Sequence, residues 1–192
     1  MVQITGKKLT LEEFLALPEG DITYEFVDGQ AVPKYKSPEM SPKFFHSSLT
    51  GAIFLLLSPW SQQRGRMRIE WAVALTRPPE KWVPIPDLLY VSYERLGAEW
   101  AEDAPCPVPP ELVIEIISPG QIFGELTEKA TNYLAAGVSR VWIVDTQARS
   151  ITAFLPASLP QTYRGNLVLS DPLLPGLELT AQQVFQQAGL PG

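Results

Sequence analysis

Residues 110–120 read PELVIEIISPG, an apolar run that is typical of a buried β-strand. Glu115 lies in the middle of this run, and a glutamate is almost never fully buried unless another group pairs with it. A helix is predicted from about Gly124 to Ala136, closed by Gly137, and the strand RVWIVD follows and ends at Asp145. The segment 111–145 therefore predicts a strand–helix–strand unit with parallel strands.

The elements upstream of this unit are predicted from capping, turn and periodicity signals. Thr10-Leu11-Glu12-Glu13 has the form of a capping box, and Asp28-Gly29 between two β-prone runs predicts a hairpin. Ser41-Pro42 predicts the start of a mostly buried helix that runs to about Gln63, with Pro59 kinking it or ending its regular part. MRIEWAVALT at 67–76 and WVPIPDLLYV at 82–91 are each predicted as one strand. The order of elements predicts an α/β protein with a mixed sheet, and we expect a single domain over 1–192.

Composition excludes several classes of protein. The 192 residues include one cysteine and one histidine, which excludes an internal disulfide and a Cys/His-rich zinc site. The longest apolar stretch is about ten residues, too short for a bilayer that needs roughly 20, and the start of the chain does not resemble a signal peptide. We therefore expect a cytoplasmic protein. A net charge of −6 argues against a strong nonspecific nucleic-acid binder.

Two carboxylates are predicted to share one site. Strand alternation places Asp87 on one face with Leu89, and Glu115 on one face with Val113. If the two strands are neighbours, Asp87 and Glu115 converge and repel each other unless a proton, a basic group or a divalent cation intervenes. Hard cations such as Mg²⁺ prefer oxygen ligands. The alternative is that each acid is a solvated residue at a strand end.

Lys129 is a candidate basic partner for these acids. It lies at the edge of the apolar stripe of the predicted helix, three residues after Leu126 and four before Tyr133. Its ammonium could therefore reach the sheet, or extend along the surface into solvent as flanking lysines commonly do. Glu125, four residues earlier, is in the favourable order for an ion pair with it.

The ordered combination of segments resembles a large bacterial family of restriction-endonuclease-like proteins within the PD-(D/E)XK nuclease superfamily. The resemblance runs from about Leu9 to Leu179. The segments that carry it are YEFVDG, the helix containing His46, PDLLYV, ELVIEIISP, and EK followed by YLAAGVSRVWIVD. It implies a restriction-endonuclease-like fold, with a mixed central β-sheet flanked by helices and an N-terminal β-hairpin.

The resemblance also implies roles for individual residues. Pro86-Asp87 matches the Pro-Asp of the superfamily motif and Glu115 its second acid, so both become expected ligands of Mg²⁺ or Mn²⁺, with the backbone carbonyl of Ile116 as a further ligand. The usual lysine would lie two residues after the second acid, where this chain has Ile117. Lys129 matches a lysine on the following helix that substitutes for it.

Two further candidates come from the resemblance. Glu25 matches a glutamate of the family's hairpin, and His46 a frequent histidine of its long helix. His46 shares a helix face with Ile53 and Leu57, so a role as a core residue is the alternative.

The activity that the resemblance implies is endonucleolytic hydrolysis of phosphodiester bonds. Nucleic acid, most simply DNA, is the implied partner, and a homodimer is the implied assembly. The tryptophans that we expect to be exposed, and which suit a homodimer, are Trp60, Trp82 and Trp100.

Two other functions stay open at this point. A non-catalytic binding or scaffold protein is favoured by Ile117 and the acidic net charge, and a metal-dependent hydrolase of a smaller phosphoester also suits an acidic protein. The basic run Arg64–Arg68 could contact phosphates, but cations following a helix C-terminus are the simpler interpretation. Asp145 is interpreted as a turn residue.

Overall fold

The computed structural model describes residues 8–18, 20–35, 42–77 and 80–190. In chain order, the helices and strands of these residues are α1 (Leu11–Leu15), β1 (Tyr24–Val27), β2 (Gln30–Pro33), α2 (Phe44–Ser61), β3 (Gly65–Ile69), β4 (Leu75–Arg77), β5 (Glu80–Val83), β6 (Leu88–Ser92), β7 (Leu112–Ile116), α3 (Phe123–Ala135), β8 (Arg140–Asp145), β9 (Ser150–Phe154), β10 (Gln161–Arg164), β11 (Val168–Ser170), β12 (Glu178–Thr180) and α4 (Ala181–Gln187). None of the helices in these ranges is long and apolar enough to cross a membrane.

The central sheet has six strands in the order β10-β9-β8-β7-β6-β3. β7 and β8 are parallel and are joined by α3, whereas the other neighbouring pairs are antiparallel. This confirms both the predicted strand–helix–strand unit and the mixed sheet. α3 ends as predicted, because Gly137 adopts a φ of +95° that a residue with a side chain rarely takes.

A second, antiparallel sheet has the order β2-β1-β5-β4. Asp28 and Gly29 connect β1 to β2 with φ of 52° and 82°, the left-handed pair that a two-residue hairpin turn requires. The predicted hairpin is therefore confirmed. The capping box before α1 is also present, since Thr10 accepts from the backbone of Glu13 and the Glu13 side chain accepts from the backbone of Thr10.

The two strands predicted over 67–76 and 82–91 are wrong as single elements, because each is divided between the two sheets. The first breaks at Glu70, whose φ of +48° turns the chain out of the central sheet after β3. The second breaks between β5 and β6, where Pro84 and Pro86 have no N–H to donate to a ladder. Asp87 lies at this break, one residue before β6 begins.

The central sheet separates two apolar layers. On one face, Ile114 and Ile116 of β7 belong to a layer formed with α2 and α4. On the other face, Leu89, Val113 and Tyr133 belong to the layer under α3 and the second sheet. Glu115, which alternation places on the face of Val113, therefore belongs to the α3 side of the sheet. The residues that α2 contributes to the first layer include Leu49, Ile53 and Leu57.

α2 differs from the predicted helix at its start and on one face. Its first residue is Phe44, with Lys43 as an N-cap that makes no side-chain cap, and the predicted N-cap Ser41 lies outside the described residues. The helix continues through Pro59 to Ser61. It is not buried on most faces, because some of its large apolar side chains are exposed. These are Phe44, Phe45 and Leu55.

Candidate active site

Asp87, one residue before β6, and Glu115 of β7 meet where these two antiparallel strands are neighbours. Leu88 of β6 is opposite Ile114 of β7, and continuing this register by one residue places Asp87 opposite Glu115. Residues directly opposite in such a pair have Cβ atoms about 4.5–5.5 Å apart. Asp87 and Glu115 are only 2% and 5% exposed, respectively. The structure therefore brings the two predicted carboxylates together in the interior.

Asp87 is surrounded by donors. Its Oδ2 accepts a hydrogen bond from the backbone N–H of Ile116 at 2.7 Å and lies 3.1 Å from Nε2 of His46. Its Oδ1 accepts from the ammonium of Lys34 at 3.0 Å. Burial alone would raise the pKa of Asp87, but His46, Lys34 and the Ile116 N–H outweigh burial and hold that pKa below its ordinary value. Asp87 is therefore ionised at neutral pH.

Glu115 has a different set of partners, all from α3. Its Oε1 accepts a hydrogen bond from the hydroxyl of Tyr133 at 2.8 Å and lies 3.0 Å from Nζ of Lys129. Burial raises the pKa of Glu115; the Lys129 ammonium opposes this effect, and the neighbouring carboxylate of Asp87 adds to it. The two adjacent acids thus have pKa values displaced in opposite directions, which is common where groups have chemical roles.

Lys129 reaches the sheet as predicted and joins two acids. Its Nζ lies 2.9 Å from Oε1 of Glu25 on β1 as well as 3.0 Å from Glu115. Burial alone would lower the pKa of Lys129, but Glu115 and Glu25 outweigh it and raise that pKa above its ordinary value. The same oxygen of Glu25 accepts from the backbone N–H of Ile85 at 3.0 Å. This hydrogen bond joins Glu25 to the segment between β5 and β6 that leads to Asp87.

Lys34 and Glu70 are site residues that the sequence analysis missed. Lys34 follows β2, and its Nζ lies 3.0 Å from both Asp87 Oδ1 and Glu70 Oε1. The hairpin register would have predicted the position of Lys34. Glu25 is opposite Val32, and Lys34 lies two residues after Val32, so it is on the same face as Glu25. Glu70 has no comparable signal, because its position depends on the break between the sheets.

Asp87 and His46 line a cleft of about 380 Å³ between α2 and the end of β3. Thr50 and Gly51 of α2 form part of its wall, and Glu70 lies at its edge beside Asp87. His46 is buried despite lining this cleft, so it is neither purely a core residue nor freely exposed. The cleft gives a small ligand a route to Asp87.

The donor atoms suit a hard divalent cation in kind. Two buried carboxylates lie next to each other where β6 pairs with β7, and such oxygens are the ligands that Mg²⁺ and Mn²⁺ prefer. Within the described ranges, however, no group of three or more His, Cys, Asp or Glu side chains converges closely enough to hold a metal. Ile116, expected to offer its carbonyl, uses its N–H to bind Asp87. A cation on Asp87 would therefore meet the Lys34 ammonium.

The other candidates have structural contacts. Arg64 donates to the carbonyl of Trp60 at the end of α2. Arg66 is buried and donates to backbone carbonyls of the loop after β6, those of Leu96, Gly97, Ala98 and Trp100. The Arg64 contact agrees with the simpler interpretation of a cation after a helix C-terminus, whereas Arg66 holds a loop through its backbone carbonyls. Asp145 accepts from the backbone N–H groups of Gln147 and Ala148, which confirms it as a turn residue.

Comparisons with known proteins bear on the fold and on the family. A crystal structure of a "putative nuclease belonging to DUF820" from Anabaena variabilis matches with a TM-score of 0.74 and 20% identity, covering 94% of this chain and 99% of that chain. At this identity the match shows the fold, which is restriction-endonuclease-like as expected. None of the curated proteins gives a significant match.

The family is shown by a match over most of the chain. Residues 11–182 match the model of the Uma2 family, which carries the description "Putative restriction endonuclease". This range includes the central sheet, the second sheet, α2, α3 and every candidate site residue. The chain belongs to the Uma2 family of restriction-endonuclease-like proteins.

Proposed function

We propose that this protein is a divalent-metal-dependent endonuclease that hydrolyses phosphodiester bonds of nucleic acid, with DNA as the substrate. The observation that carries the proposal is the buried pair of Asp87, just before β6, and Glu115 of the adjacent β7, with the Lys129 ammonium 3.0 Å from Glu115. Membership of the Uma2 family supports it.

In this proposal Asp87 and Glu115 hold one or two Mg²⁺ or Mn²⁺ ions, with the carbonyl of Ile116 as a further ligand. A bound ion supplies a Lewis acid that polarises the phosphate and makes an attacking water more acidic. Asp87 suits this role because its lowered pKa keeps it ionised. His46 lines the cleft, where it can contact a phosphate oxygen or a water.

Lys129 acts in this proposal as a cation rather than as a base. Its raised pKa keeps it protonated at neutral pH, so it can orient water or stabilise the negative charge of the transition state. It supplies the ammonium that is missing at position 117. Ile117 occupies that position and packs in the apolar layer under α3. Glu25 positions Lys129 through the contact of 2.9 Å.

Cleavage of supercoiled plasmid and single-stranded oligonucleotide in Mn²⁺ tests the proposal. We expect Asp87→Asn, Glu115→Gln and Lys129→Met each to lose about 100-fold or more of the wild-type rate. Glu128→Gln, an exposed acid beside Lys129 on α3, is the matched control and should cleave at the wild-type rate. Wild-type rates in all the variants would show that the site is wrong.

A hydrolase of a smaller phosphoester is the second candidate. The net charge of −6 and a cleft of about 380 Å³ favour a compact substrate over long DNA. Nucleotide substrates assayed beside plasmid and oligonucleotide distinguish the two, since a preference for the nucleotide would favour this candidate. A scaffold protein of the same fold would show neither hydrolysis nor binding of Mn²⁺ in calorimetry.

We also propose a homodimer, which sedimentation equilibrium tests directly. The three tryptophans expected to be exposed do not support it. Trp82 is buried against Tyr133, with ring centroids 4.7 Å apart. Trp60 is half-buried and donates to the carbonyl of Pro175. Trp100 is also half-buried and packs against Trp71.

A further inference from the structure

The ammonium of Lys34 is buried between two carboxylates of unequal exposure. Its side chain is 4% exposed, and its Nζ lies 3.0 Å from Oδ1 of Asp87 and 3.0 Å from Oε1 of Glu70. Asp87 is buried, whereas the Glu70 side chain is 52% exposed. Lys34 therefore connects the interior of the site to the edge of the cleft.

The charge on Lys34 compensates the charge on Asp87 when no other cation is bound there. A buried ammonium is costly unless it is paired, and Lys34 is paired with the same carboxylate that a cation entering the cleft would meet. A divalent cation on Asp87 would lie within a few ångströms of this ammonium, where like charges repel strongly. The ammonium of Lys34 and a divalent cation therefore compete for contact with Asp87.

Glu70 provides a second position for the same ammonium. Its backbone has a φ of +48°, a conformation that costs roughly 1–3 kcal/mol in a residue other than glycine and is frequent at functional sites. The Glu70 N–H donates to the carbonyl of Asp87 at 3.1 Å, which holds the two residues together. Because Lys34 already contacts Glu70, losing its contact with Asp87 would leave it paired.

We propose that Lys34 is an internal counter-cation of Asp87 that competes with the divalent metal and is retained by Glu70 when the metal binds. The inference rests on the proposed function, because it assumes that Asp87 is a metal ligand. It adds a regulatory role for Lys34 and Glu70 in that site. Metal affinity is set partly by how readily the ammonium leaves Asp87.

Calorimetric titration with Mn²⁺, in the absence of nucleic acid, tests the competition. Lys34→Met removes the competing cation, so we expect it to bind Mn²⁺ about tenfold more tightly than the wild type. Lys34→Arg keeps the charge and should retain an affinity near that of the wild type. Lys81→Met is the matched control, because Lys81 is an exposed lysine of the second sheet that contacts Thr76; its affinity should not change.

Glu70→Gln tests the second position. Without the Glu70 charge the ammonium depends more on Asp87, so we expect Mn²⁺ to bind about tenfold more weakly. The double variant Lys34→Met/Glu70→Gln separates retention from direct metal ligation. If Glu70 acts through Lys34, Glu70→Gln has little effect once Lys34 is absent; an undiminished effect would mean that Glu70 binds the metal itself and would overturn this part.

The outcomes distinguish this inference from the proposed function. Wild-type or weaker Mn²⁺ affinity in Lys34→Met would overturn the inference alone, whereas no binding by any protein would overturn the metal site and the inference with it. Circular dichroism and thermal melting in EDTA monitor folding. If Lys34→Met fails to fold, Lys34→Gln replaces it, and tighter binding by that variant than by Lys34→Arg is the supporting result.

Discussion

The hydroxyl of Tyr133 donates to Oε1 of Glu115 at 2.8 Å, and both side chains are buried. Burial, together with the charges of Glu115 and Glu25, raises the pKa of Tyr133 well above its ordinary value, so the hydroxyl stays a donor. The tyrosine ring packs on Trp82. A single side chain thus links the α3 layer to the carboxylate pair through a polar contact and an apolar one.

Tyr133→Phe should remove the polar contact and keep the ring packing. We expect the free energy of unfolding in urea to fall by about 1–3 kcal/mol, because a buried acceptor loses a donor. Tyr163→Phe is the control, since its hydroxyl donates at 2.8 Å to Gln161 in an exposed position. Equal losses in the two variants would contradict a special contribution from burial at Glu115.

At the scale of elements, the hairpin β1–β2 brings two charged residues to the site. Glu25 binds Lys129 on α3, and Lys34 binds Asp87 before β6. The two-residue turn sets the register, so it also determines where both side chains point. Gly29 at this turn has a φ of +82°.

Gly29→Ala should strain this turn. We expect a loss of about 1–2 kcal/mol in the free energy of unfolding, the cost of a left-handed residue with a side chain, and a lower rate of cleavage as Glu25 and Lys34 shift. Gly165→Ala is the control, because Gly165 also has a positive φ, of +53°, but lies in a turn after β10. Gly165→Ala should lose a similar amount of stability but keep the wild-type rate of cleavage. An equal loss of cleavage rate in Gly29→Ala and Gly165→Ala would contradict the prediction.

At the scale of the whole molecule, Asp87 joins parts of the chain that are far apart in sequence. His46 comes from α2, Lys34 from the hairpin, and the Ile116 N–H from β7. These contacts favour the ionised form of Asp87 in the folded protein only. The stability of the whole protein therefore depends on the ionisation of this residue.

The pH dependence of unfolding should show this link. Because the folded pKa of Asp87 lies below the ordinary value of 3.8, its contribution is fully present well above pH 3.8 and is lost as the pH falls toward the folded pKa. In urea titrations from about pH 3 to 7, the difference between wild type and Asp87→Asn should shrink below about pH 4. Asp103→Asn, an exposed acid in the loop between β6 and β7, controls for the loss of one charge. A difference between wild type and Asp87→Asn that stays constant with pH would contradict the prediction.

The amino-acid sequence by itself determined the local elements and the faces on which side chains lie. The strand–helix–strand unit, the Asp28-Gly29 hairpin and the Gly137 helix end were all predicted, because each depends on residues close together in the chain. Strand alternation also placed Glu115 on the face of Val113, whereas its pairing with Asp87 depends on β6 and β7 being neighbours.

Only the tertiary structure decided which side chains meet. Lys34 and Asp87 are 53 residues apart, and Glu25 and Lys129 are 104 residues apart. The breaks at Glu70 and before Asp87 were missed because strand periodicity continues across them, while the chain passes from one sheet to the other. Periodicity predicts the face of a strand on which a side chain lies. The packing of the two sheets against α3 determines which side chain of another element it contacts.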